Sequence, residues 1–288
     1  MPEPLPYHLG CSVWSLPEWV GSFYTPDAKP TDFLKQYASV YNAVEGNSTF
    51  YTAPSANQIY NWGKLTGSGF KFCFKFPREI THGKKLRHTE KETDDFLKIF
   101  EPIREKLGPF MIQLPPSFSP KEMHYLEQFI SWLPKHLSYA VEVRHSDYFD
   151  RGSNEHNLNR LLESYGIDRV IFDTRKLHSI NSQDLSIMEA KIKKPKVPVR
   201  FVATGSRPVI RFVATNDILN SEAYLKEWSI VIADWIKDGL HPYVFIHTPD
   251  KFSQPVLCHH FHSLLSQLIA LPPLPDWPIN REAQLGLF

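Results

Sequence analysis

Val44-Glu45-Gly46-Asn47-Ser48-Thr49-Phe50-Tyr51 starts as an apolar strand, continuing from Val40, Tyr41 and Ala43. It ends in a carboxylate, an amide, two hydroxyls and a phenol. A core strand offers fewer polar groups, and a surface loop offers more Gly or Pro. Polar groups crowded at the end of a buried strand therefore point to a site. On a continuous strand Glu45, Asn47 and Thr49 share one face, because side chains alternate with period two. The competing account is a buried hydrogen-bond network that only fixes the strand end.

Seven more short apolar segments flank this one, each followed by a helical pattern. They are His8–Trp14, Lys71–Phe76, Phe110–Leu114, Tyr139–Arg144, Val170–Asp173, Val209–Val213 and Tyr243–Ile246. Apolar residues at helical spacing predict helices over Thr31–Val40, from Ser55 through Leu65, and over Thr93–Leu107, Pro120–Leu133, Asn154–Tyr165, Gln183–Ala190, Ser221–Lys237 and Val256–Leu268. Ser55 and Ser119 stand at N-cap positions, and Gly166 closes its helix. Eight strands alternating with helices, without a composition break, predict a parallel sheet with right-handed crossovers. At this length the α/β class expected is a single-domain (β/α)8 TIM-type barrel over residues 1–270. A doubly wound open sheet is second, since no GxGxxG or P-loop pattern follows a strand. Residues 271–288 form a Pro-rich tail.

The 288 residues are 42% hydrophobic and 22% charged, with a net charge of +1. That balance excludes a global attraction to nucleic acid or membrane and leaves only local patches. No apolar run is long enough to span a bilayer, and the amino terminus lacks a secretion signal. Cys11, Cys73 and Cys258 form no CxxC pair, so a cytoplasmic protein with reduced thiols is expected.

Barrel chemistry sits at the carboxyl ends of the strands. Those ends carry Trp14; Glu45, Asn47, Thr49 and Tyr51; Lys75; Gln113; Glu142, Arg144 and His145; Asp173; Arg211; and His247. Glu45, Glu142, Asp173 and His145 are the acid/base candidates, and the others are candidate substrate contacts. Three chemistries compete. Acyl transfer lacks a GxSxG motif. A divalent metal could sit among Glu45, Glu142, Asp173 and His247, though no HExxH pattern supports it. Lys75, Arg144 and Arg211 with His145 could hold a phosphate or another anion, with nucleic acid as one source. A non-catalytic barrel that holds a ligand or partner at its mouth is the alternative to an enzyme. The basic run His82–His88 reads as a solvated loop, and His259, His260 and His262 point apart along a helix. Protonation of His145 and His247 near pH 6 would tighten anion binding as pH falls from about 8.

Several motifs carry a family resemblance. They are Gly10-Cys11-Ser12-Val13-Trp14, Trp19-Val20-Gly21-Ser22-Phe23-Tyr24, the opening octapeptide, Phe74-Lys75-Phe76, Ile80-Thr81-His82, Gln113-Leu114-Pro115-Pro116 and Glu142-Val143-Arg144-His145. In this order they resemble the YecE-like family, domain of unknown function seventy-two. The resemblance implies a TIM-type barrel and supplies no reaction. Gly46 stands where the family tends to have Ile. Phe212-Val213-Ala214-Thr215 stands where it tends to have a His-Gly pair, and His247-Thr248 where it tends to have an Asn pair.

The tail ends Gln284-Leu285-Gly286-Leu287-Phe288. This pentapeptide resembles the motif by which bacterial replication and repair proteins dock on the DNA sliding clamp. Gln284 would make polar contacts, and Leu285, Leu287 and Phe288 would enter apolar pockets. A tail that packs back on its own barrel is the alternative.

Overall fold

The computed structural model describes residues 4–217 and 219–285, with no side-chain description for 282–285. All eight strands form, each four to six residues long, and every pairing is parallel. They are β1 (His8–Cys11), β2 (Ala43–Gly46), β3 (Lys71–Phe74), β4 (Phe110–Gln113), β5 (Tyr139–Glu142), β6 (Asp168–Asp173), β7 (Val209–Val213) and β8 (Tyr243–His247). The expected closed ladder of eight is not what forms. Six strands make one curled sheet in the order β1-β8-β7-β6-β5-β4, and β2 and β3 make a second.

Two seams join these sheets. Between β3 and β4 the ladder shrinks to isolated bridges at Phe72–Leu107 and Lys75–Met111. Between β1 and β2 a side chain replaces the ladder. The Tyr37 hydroxyl accepts from the Cys11 amide at 2.6 Å and donates to the Ala43 carbonyl at 2.9 Å. The backbones are close enough there that a Cβ on Gly10 would lie 1.9 Å from that carbonyl oxygen.

The helices are α1 (Phe33–Ala38), α2 (Ala56–Leu65), α3 (Glu90–Lys98), α4 (Met123–Trp132), α5 (Ser153–Ser164), α6 (Arg175–Ser179), α7 (Leu185–Lys193), α8 (Glu222–Lys237), α9 (Gln254–Ser266) and α10 (Pro278–Leu285). Ser55 caps α2 as expected, its hydroxyl accepting from the Gln58 amide while the Gln58 side chain accepts from Ser55 N–H. Gly166 follows α5 at φ +63°. The single helix expected over Thr93–Leu107 is two pieces. α3 stops at Lys98, and a 3-10 stretch from Glu101 to Lys106 follows, with Pro102 in its first turn. Neither α6 nor α10 was expected from the sequence. No helix among the described residues is long and apolar enough to cross a membrane.

Two apolar clusters follow from strand alternation. Outward residues such as Phe72, Phe74, Ile112, Val141, Ile171 and Ile210 pack under the helices. Inward residues Ala43, Cys73, Met111, Ala140, Val170, Val209, Tyr243 and Phe245 form a separate floor on the concave side. Gly46 has a steric reason here: a Cβ would lie 2.4 Å from the Phe74 ring.

Asp168, at the other end of β6, is buried and accepts from the Arg207 amide at 2.7 Å. Burial pushes its carboxyl up to about 7 from 3.8, against the pull of Arg207. A folded-state value raised in this way favours the protonated form. Its contribution is whole below the unfolded value and is lost as pH rises through 7. Asp168→Asn should therefore remove a decline in stability between pH 5 and 8 of roughly 2–4 kcal/mol. Denaturant melts across that range check this, and parallel slopes for both proteins would refute it.

The chain after α9 packs back on the body. The Trp277 ring meets Phe23 edge-on at 5.5 Å and donates to His259 at 3.0 Å, and Arg281 donates to the Ser39 carbonyl at 3.1 Å. Leu287 and Phe288 of the terminal pentapeptide lie outside the described residues, as do the side chains of Gln284 and Leu285.

Candidate anion-binding site at the strand ends

Two residues along each strand from the apolar floor, the period-two rule places a second inward layer. Ala43 leads to Glu45, Cys73 to Lys75, Met111 to Gln113, Ala140 to Glu142, Val170 to Phe172, Val209 to Arg211 and Phe245 to His247. Six of the seven are polar, all are buried, and they connect to one another.

Arg211 is the hub. Its Nη2 and Nε donate to the two oxygens of Glu45 at 2.8 and 3.0 Å, and its Nη1 pairs with Glu142. His247 Nε2 meets Glu45 Oε2 at 2.8 Å, and Lys75 Nζ lies 3.5 Å from Oε1. Arg144 donates to Glu142 at 2.6 Å and to Gln113 Oε1 at 2.8 Å, and Lys75 donates to the same amide oxygen at 3.1 Å. The Phe172 ring lies 4.6 Å from the Arg211 guanidinium and 5.5 Å from Arg144 and from Lys194 Nζ. One aromatic ring thus serves three cations.

Burial alone would raise both carboxyls, but the surrounding cations win. Arg211, then His247 and Lys75, hold Glu45 well below the usual range. Arg144, then Arg211 and Lys75, bring Glu142 to about 2. Neither is protonated near neutrality, so neither serves there as a general acid. Burial and Arg211 lower Lys75 to about 8 despite Glu45 and Glu142. Burial lowers His247 to about 4 against the pull of Glu45. Because Glu45 carries no proton, the 2.8 Å contact requires the imidazole proton on Nε2, which leaves Nδ1 bare.

All of these groups except Glu142 line a cavity of about 930 Å³. Its cover comes from the segment joining β6 to β7, which contributes Ser186, Glu189, Ala190, Lys193 and Lys194. Lys194 sits just past α7, half-buried, and its ammonium has no hydrogen-bond or ion-pair partner among the described residues. Burial and Arg211 lower it to about 7, with Glu45 opposing. Three cations (Lys75, Arg144, Arg211) against two carboxylates (Glu45, Glu142) leave one positive charge in excess, and Lys194, when protonated, makes it two.

Other candidates fall elsewhere. β2 ends at Gly46, and residues 47–50 turn into a 3-10 helix, so Glu45, Asn47 and Thr49 do not share a strand face. Asn47 still lines the cavity and donates to the Ser12 carbonyl at 3.1 Å. Thr49 bonds the Gly46 and Lys75 carbonyls and only secures the turn. Asp173 alternates to the helix side, where Arg175 and the Trp228 indole bind its carboxylate. His145 is also an outward position and accepts from the Asp147 amide. A metal among Glu45, Glu142, Asp173 and His247 therefore lacks one of its four ligands, and the carboxylates present are bound to arginine. No group of three His, Cys, Asp or Glu among the described residues is arranged to hold an ion. The basic loop after β3 is paired through Lys84–Glu92, Lys85–Glu122 and Arg87–Glu122. His259 turns to Tyr41, His260 to Glu222 and His262 to Tyr7.

Fold and site together define a parallel α/β protein with a cationic cavity at the carboxyl ends of its strands. The family described as "Protein of unknown function DUF72" matches residues 8–278, and the chain belongs to that family. It is 36% identical to the UPF0759 protein YecE of Escherichia coli K12 over 273 residues, 93% of this chain and 97% of that one. A crystal structure of a DUF72 family protein from Thermotoga maritima matches with a TM-score of 0.68 at 25% identity, covering 90% of this chain and 99% of that one. One from Enterococcus faecalis has a TM-score of 0.67 at 16% identity, covering 94% and 98%.

Proposed function

We propose that this protein is an enzyme acting on a small phosphorylated or similarly anionic substrate. We also read its eight strands as a (β/α)8 barrel whose ladder is interrupted at the two seams. The observation that carries the functional reading is Lys194, an unpaired ammonium turned to a cavity whose other buried charges already sum to a cationic surplus. Lys194 and Arg144 are the anion contacts. His247, pinned by Glu45 with Nδ1 bare, is the proton acceptor, while Glu45 and Glu142 position the cations around them. An anion neutralises Lys194 and so raises His247, bringing the base toward its working range as substrate arrives.

Sulfate, whose charge is constant between pH 6 and 8, is the binding probe. Protonated Lys194 favours the anion, so affinity should fall close to tenfold as pH rises through about 7, and Lys194→Met should flatten that dependence. This assigns the pH effect to Lys194 instead of His145 and His247. Flat binding by the parent protein would overturn it. For the reaction, phosphomonoesters and sugar phosphates form the panel. His247→Asn should abolish turnover of whichever is accepted while sulfate binds within twofold of the parent, and undiminished turnover would remove the base assignment.

A further inference from the structure

The cavity has a second wall of different chemistry. The loops after β1 and β2 supply Trp14, Phe50, Tyr51 and Asn47 to it, and α2 supplies Trp62. Trp14 stands edge-on to Trp62 at 5.2 Å, while the Trp62 face stacks on Phe72 and Phe74 at 6.0 and 5.8 Å. That packing fixes the Trp14 ring at the cavity edge. Tyr51 is 80% exposed at the mouth, with the Phe50 ring edge-on to it at 5.1 Å. A tyrosine so exposed covers no core and is free to cover a ligand. Asn47 spends its amide N–H on Ser12, and its carbonyl oxygen has no partner among the described residues.

The volume of about 930 Å³ suits a drug-sized molecule and far exceeds a lone phosphate. An aliphatic sugar phosphate would satisfy the cations and leave the indole and phenol faces wet. A planar unsaturated ring would cover them, and its N–H edge would find the Asn47 oxygen.

We propose that the ligand is a phosphorylated planar heterocycle of the nucleoside monophosphate class, its phosphate at Lys194 and Arg144 and its ring between Trp14 and Tyr51. This rests on the anion-site reading above. The probes are sulfate, ribose 5-phosphate, adenosine and adenosine 5′-monophosphate, titrated calorimetrically against the parent protein, Tyr51→Ala and Trp14→Leu. The nucleotide should bind at least tenfold tighter than ribose 5-phosphate. Either variant should cut that preference several-fold and leave ribose 5-phosphate within twofold. Tyr51 is exposed, so its variant tests the ring even if Trp14→Leu fails to fold. Equal affinity for nucleotide and ribose 5-phosphate overturns the ring and spares the anion site. Adenosine binding without any response to sulfate or phosphate overturns the anion site and spares the ring. Silence from all four probes overturns both.

Discussion

Replacing Arg211 with Met should cost the protein about 3–5 kcal/mol of unfolding free energy, because two buried carboxylates lose the cation they share. Arg211 is 3% exposed, and Glu45 and Glu142 are 0% and 1% exposed, so all three charges are desolvated and depend on one another. The folded-state values of both carboxyls lie below the ordinary 4.5. Their contribution is therefore full above that value and is lost as pH falls toward 2. The gap between parent and variant should narrow in acid. Adding Glu45→Gln and Glu142→Gln to the variant should recover much of the loss at neutral pH, since a neutral amide is less costly to bury than an unpaired charge. Denaturant unfolding at pH 4 and 7 measures this. A neutral-pH loss below 1 kcal/mol would mean that the cluster relaxes or hydrates freely.

Tyr37→Phe should cost about 2–4 kcal/mol although it keeps the ring and nearly all of its volume. The hydroxyl is the partner of a buried amide and a buried carbonyl, and both are left unmade without it. Hydrogen exchange gives a residue-level readout, with the Cys11 amide losing protection ahead of its neighbours on β8. A stability within 0.5 kcal/mol of the parent, with Cys11 still protected, would show that the strands can pair directly.

Most of the architecture is legible in the sequence because each strand is a short apolar run and each helix a periodic one. What periodicity cannot reveal is the seam. Tyr37 reads as one more apolar position on a helix, and nothing local says that its hydroxyl replaces a ladder. The site is legible wherever alternation is counted from the apolar floor. Applied to β5, the count admits Glu142 and Arg144 and rejects His145. On β6 it selects Phe172 and rejects Asp173, an ionisable residue that attracts notice by its type alone. Lys194 is invisible by this rule, since it lies in a basic run with Lys191, Lys193 and Lys196. Only the path of the chain over the mouth separates it from Lys191, which bonds the Ile180 carbonyl, and from Lys193, which pairs with Glu189.

The division of the cavity between strands and cover has a bearing on how such a protein changes. A substitution at Glu45, Glu142 or Arg211 breaks a desolvated ion pair, so this half of the site is held fixed by stability. Ser186, Glu189, Lys193 and Lys194 sit on a connection that shares no ladder bond with the sheet, and Lys194 has no partner to strand. Residues there can be exchanged at little thermodynamic penalty. The strand half is constrained by its ion pairs and the cover is not, so a change of ligand preference, loss of the Lys194 ammonium included, can arise on an unaltered foundation.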